Sequence, residues 1–155
     1  MKIKTVYPNN VGWFEIKLDE VYMKHLWDCI KNPVSDHKSK LAGNISKSQL
    51  INDKNNFFFD EVLLPACHKY VEKFKTVPVK ELPVSERHEI YLSTMWVNYQ
   101  KQTEFNPRHH HTGIYSFVVW MKIPTNFEDQ RKLKIAESTS NFISNFCFDY
   151  KNMLG

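Results

Sequence analysis

The order of apolar and polar positions divides the chain into a helical first half and a β-patterned second half. Ile3 to Tyr7 and Trp13 to Leu18 alternate with period two around Pro8-Asn9-Asn10, which predicts two strands joined by a turn. From Asp19 the period lengthens: Val21, Tyr22, Leu26 and Ile30 share one helical face, with Asp19 placed to cap it and Pro33 beyond its end. Lys38 to Asn56 is polar and reads as loop. A second helix is predicted from Phe59, Val62, Leu63, Ala66, Tyr70, Val71 and Phe74, with Pro65 in its first turns or at a kink. Pro78 and Pro83 mark an extended linker. Ile90 to Tyr99 and Ile114 to Ile123 then carry the β-branched and aromatic residues of strands, with shorter candidates at Leu133 to Ala136 and Ile143 to Tyr150.

Helices first and an antiparallel sheet afterwards predict an α+β fold, mainly antiparallel β, or a β-barrel with helices on its outside. The 155 residues suffice for one domain and one core. The expected division is a helical part at 1–87 and a β part at 88–155.

Composition changes this picture little. The net charge of +4 comes from Lys and Arg interleaved with Asp and Glu, unlike the concentrated basic face of a nucleic-acid binder. The densest run, Arg131-Lys132-Leu133-Lys134, reads as solvated surface. Cys29, Cys67 and Cys147 are odd in number and far apart, as in reduced thiols of a cytoplasmic protein. Met1 to Thr5 lacks a signal-peptide pattern, and no window approaches the roughly 20 apolar residues of a membrane span. The expectation is a soluble protein with neither nucleic acid nor membrane as partner.

The chemistry lies in Asn106-Pro107-Arg108-His109-His110-His111-Thr112-Gly113, between two β-patterned segments. On extended chain alternate residues point the same way, so His109 and His111 converge while His110 faces oppositely. Two imidazoles and one distant ligand make a metal site with open positions. An exposed His cluster binding adventitious metal is the plainer alternative. His25, His37, His68 and His88 are isolated and read as surface or packing residues.

The run Trp96-Val97-Asn98-Tyr99, then Phe105-Asn106-Pro107, His109, His111, Gly113, Ser116 and Lys122-Ile123-Pro124, resembles the Fe(II)- and 2-oxoglutarate-dependent oxygenases. The similarity is to the prolyl-hydroxylase-like branch of bacteria and of phages of marine bacteria. Leu41-Ala42-Gly43-Asn44-Ile45 and Val62-Leu63-Leu64-Pro65 extend it, so that it spans about Leu41 to Gly155.

The resemblance implies a double-stranded β-helix, a jelly roll with the N-terminal helices packed outside and the metal at its open end. It implies Fe(II), 2-oxoglutarate as cosubstrate, dioxygen, and ascorbate as accessory reductant. The reaction implied is oxidative decarboxylation of 2-oxoglutarate coupled to hydroxylation of a protein or small-molecule substrate, in the cytoplasm of the host cell if phage-encoded. His109 matches the family's first ligand. His111 stands where most members carry Asp or Glu, although close look-alikes also show His. Tyr99, Ser116 and Trp120 match positions that contact or line the cosubstrate pocket. On Ser116's strand, Val118, Trp120 and Lys122 share a face by period two, and Asn98 is the rival of Tyr99 if the register differs.

The chain departs from the family beyond that point. No histidine follows His111, and Arg131 is the last arginine. The family's distal His and its 2-oxoglutarate-gripping Arg or Lys thus have no match. The expectation is a C-terminally truncated fragment, inactive by itself, with an exposed sheet edge through which two copies could pair. Two alternatives stand beside it: a non-catalytic jelly-roll binding or structural module with a vestigial metal site, and a cupin-type metalloprotein that uses three histidines without 2-oxoglutarate.

Overall fold

The computed structural model of the chain describes residues 12–74, 90–133 and 145–147. The elements expected at 3–7, 78–83 and 134–136, and most of 143–150, lie outside them. The chain divides into two units, Met1–Phe117 and Val118–Gly155.

The first unit mixes helices with a small antiparallel sheet. Helix α1, Glu20–Lys31, begins at the expected place, with Asp19 as extended N-cap residue. The Asp19 carbonyl accepts the amides of Tyr22 (3.1 Å) and Met23 (3.2 Å). Leu26, Cys29 and Ile30 form the buried stripe of α1, and Tyr22 extends it by a ring contact to Phe57. Val21 was expected on this face but is exposed. Five residues of helical rotation carry it about 140° around from Leu26.

The sheet has the order β1-β2-β3, with β1 at Ser35–Asp36, β2 at Lys47–Ile51 and β3 at Met95–Tyr99, all antiparallel. β2 lies inside the segment expected to be loop, and a buried polar residue explains the misreading. Ser48 is fully buried, and its hydroxyl donates to Asn98 Oδ1 at 2.8 Å and the Val97 carbonyl at 3.3 Å. A hydroxyl bonded in this way sits in a core at little cost. Ile51 and Met95 are register partners, both buried. Residues 90–94, expected to begin the third strand, precede it as irregular chain.

A turn at Lys54–Asn56 follows β2, with Asn55 and Asn56 at φ of 59° and 53°. A π-helical turn, Phe59–Leu63, then leads into α2, Leu64–Phe74, with Pro65 at its second position. Residues 13–18, expected as a strand, join no ladder. Instead Phe14 packs against Tyr70 (ring centroids 5.7 Å) and Phe74 (5.5 Å) of α2, and the Tyr70 hydroxyl donates to the Gly12 carbonyl at 2.8 Å.

Residues 114–123 were the stronger strand expectation, and they too form none. Within the first unit, Tyr115 meets Tyr70 at 5.6 Å and Phe117 meets Phe58 at 6.1 Å. Aromatic β-formers need a paired, half-buried surface to act as a strand; here helical and loop aromatics take the contacts a neighbouring strand would. In the second unit Val118, Trp120 and Ile123 are exposed. That unit contains α3, Phe127–Arg131, where a loop was expected, opened by the Asn126 side chain accepting the Asp129 amide at 2.9 Å. Trp120 packs edge-on against Phe146 at 5.0 Å. Among the described residues no helix is long and apolar enough to cross a membrane.

Candidate metal centres

His109, His110 and His111 follow β3 on irregular, exposed chain. His109 and His111 turn toward each other, with their Nε2 atoms 3.1 Å apart and their rings inclined by 58°. The Nδ1 of His109 lies 2.7 Å from the Pro107 carbonyl. A carbonyl only accepts, so this nitrogen carries the proton and, in the neutral ring, Nε2 presents a lone pair. His111 stacks on Trp96 of β3, with centroids 5.8 Å apart and planes 20° apart. The same indole carries His37 at 5.3 Å. Burial lowers the pKa of His111, and the neighbouring His109 and His110 add to the shift. Gly113 then turns the chain at φ +102°, a conformation that favours glycine.

Two imidazole lone pairs facing at 3.1 Å repel, so a proton or a cation belongs between them. Nitrogens at right angles on a cation, each about 2.1 Å away, would stand about 3.0 Å apart. The pair therefore fits two adjacent coordination positions. Among the described residues, no third His, Cys, Asp or Glu joins it in a group of metal-ligand size.

The residues expected to hold a cosubstrate are not gathered there. Strand alternation puts Trp96 and Asn98 on one face of β3 and Tyr99 on the other. Tyr99 lies under the Lys47 ammonium, 4.3 Å from the ring centre. Ser116 is exposed in the first unit, and Trp120 belongs to the second, against Phe146.

A second group of ligand-type side chains was not foreseen. His25, expected to be isolated, lies 2.6 Å by Nε2 from Asp53 Oδ1 and 3.5 Å from Cys29 Sγ. The Asp53 side chain is 1% exposed and that of His25 16%. Both carboxylate oxygens are further engaged: Oδ1 accepts the Phe58 amide at 3.1 Å and Oδ2 the Phe59 amide at 2.7 Å. Asp53 thereby caps the first turns of the helix that becomes α2. Burial pushes the Cys29 thiol pKa up, with the Asp53 and Asp28 carboxylates adding to the rise against a hydrogen bond from the Lys54 backbone. His25 and Cys29, one turn apart on an apolar face, were a signal available in the sequence. Asp53, 28 residues from His25 in a polar stretch, gave none.

No protein-family model, no curated protein and no solved structure matches this chain.

Proposed function

We propose that the chain is a domain of the Fe(II)- and 2-oxoglutarate-dependent oxygenase type, built on a double-stranded β-helix, with His109 and His111 as two adjacent iron ligands. One observation carries the reading: the two Nε2 atoms stand 3.1 Å apart while His109 is oriented through Nδ1 by the Pro107 carbonyl. A ligating histidine whose other nitrogen donates to a backbone carbonyl is fixed in tautomer and direction. Trp96 does the same for His111 by stacking.

Iron would supply oxidative decarboxylation of 2-oxoglutarate coupled to substrate hydroxylation. The chain's own part is to point two nitrogens at one place and leave the facing side open. On the proposed site's side of β3 the strand offers Asn98 rather than Tyr99, and Ser116 and Trp120 remain the proposed cosubstrate neighbours. Two histidines hold iron weakly, so we assign the full chain low Fe(II) affinity and no step that needs a third ligand.

The count of donors favours a second reading, a non-catalytic binding or structural module whose metal pair is vestigial. Anaerobic addition of Fe(II) and 2-oxoglutarate to the full chain separates the two. The oxygenase reading expects a visible iron-to-2-oxoglutarate charge-transfer band, lost in His109→Ala and His111→Ala, and succinate on admitting air. No band and no succinate at saturating iron would leave the module reading.

A further inference from the structure

Three donors of unlike chemistry meet in the first unit, away from His109 and His111. His25 and Cys29 project from the buried side of α1, Asp53 reaches them from the loop after β2, and one ligand atom of each lies within 4.8 Å of the others. Capping accounts for Asp53, and a hydrogen bond to that carboxylate accounts for His25. Neither accounts for the Cys29 sulfur 3.5 Å from the same ring nitrogen that meets Asp53. In a cysteine–histidine–aspartate relay the ring bridges thiol and carboxylate through different nitrogens. Here both converge on Nε2, which is what a shared cation requires.

We propose that His25, Cys29 and Asp53 bind a zinc ion as three ligands of a tetrahedral site, with water in the fourth position, clamping α1 to the start of the α2 segment.

Thiolate, imidazole and carboxylate together suit zinc. With Zn–S near 2.3 Å and Zn–N near 2.0 Å, the tetrahedral sulfur–nitrogen edge is about 3.5 Å, the separation observed. The nitrogen–oxygen edge is 2.6 Å because a proton occupies it; replacing that proton by zinc opens the edge by roughly 0.7 Å. Thiolate and carboxylate cancel the double positive charge, so the filled site is neutral where burial makes net charge expensive. The Phe58 and Phe59 amides already orient the carboxylate, as partners of a ligating carboxylate do. In the balance, hydrated zinc gives up three waters and the Cys29 thiol releases its proton. The proton on Nε2 leaves with it or reappears on Nδ1.

Cobalt(II) added to the full chain reports the site. We expect a near-ultraviolet thiolate-to-cobalt band and the visible bands of a four-coordinate ion, bleached by one equivalent of zinc. The bands are lost in Cys29→Ser and kept in the His109→Ala/His111→Ala variant. No thiolate band at saturating cobalt, or a band that survives Cys29→Ser, overturns the proposal. A second measurement leaves all three ligands in place: zinc X-ray absorption on the Cys67→Ser/Cys147→Ser chain, where Cys29 is the one thiol left. One sulfur at about 2.3 Å is expected; a shell of nitrogen and oxygen alone, or no bound zinc, overturns it. His109 and His111 play no part in this site, so its failure leaves the oxygenase reading untouched.

Discussion

The first unit holds two sets of candidate ligands that differ in what keeps them still. His25, Cys29 and Asp53 are fixed by burial and by backbone amides that bond both carboxylate oxygens. His109 and His111 stand at the surface, oriented by one carbonyl and one indole. Closed sites serve structure, while sites with open positions serve chemistry. The contrast also separates costs. Removing a partner from the buried set strands polar groups without water, whereas removing an exposed imidazole leaves its neighbour solvated. Stability should therefore depend on the first set and ligand binding at the surface on the second.

The largest expected effect is that of Asp53→Ala, which removes two amide caps and the partner of His25 at once. A loss of about 3 kcal/mol is expected in urea unfolding. A loss below about 1 kcal/mol would erase the contrast. Trp96→Ala tests whether the indole orients the exposed pair. Outer partners of metal ligands carry about tenfold or more in affinity, so divalent-ion binding should weaken by about that factor. Binding unchanged in Trp96→Ala would show the stack to be incidental. His109→Ala and His111→Ala sharpen the comparison from the other side. Each should leave the unfolding midpoint within about 0.5 kcal/mol of wild type while abolishing iron-dependent spectral change. A large stability loss in either would place the pair with the structural residues.

The smallest effect concerns the turn after β3. Glu104 accepts the amides of Ser46 at 3.0 Å and Lys101 at 2.9 Å. Bonding by the Ser46 side chain first, and then by the Lys101 amide, holds its carboxyl below the usual carboxylate value. The folded pKa is depressed, so the contribution is present above the unfolded value and lost as pH falls through the folded one. The Ser46 and Lys101 amide resonances should titrate together with a midpoint below that of an ordinary glutamate. Glu104→Gln should abolish that titration; an ordinary midpoint in wild type would show that the loop does not hold the carboxylate.

Local periodicity made α1, the helix ending at Phe74 and β3 legible, because each repeats its buried positions within a few residues. β2 was hidden by Ser48, a polar residue whose burial depends on Asn98 fifty positions away. Residues 114–123 misled in the opposite direction, since β-forming side chains do not supply a neighbouring strand. The same limit governed the sites. Alternation along two residues was enough to pair His109 with His111. The contact of His25 with Asp53 is a property of the folded chain, with no local spacing to announce it.

The wide turn at Phe59–Leu63 has a consequence for insertions and deletions. A π turn carries one residue more than the α-helical turn it replaces. That residue sets the rotational phase between Phe58 and Phe59, buried beneath Asp53, and the Tyr70–Phe74 stripe that receives Phe14. Deleting one residue there would restore regular helix and swing everything beyond it by about 100°. Phe14 would then meet the flank of α2. Length at this point is therefore as constrained as residue identity, and a single-codon deletion would cost more than many substitutions around it.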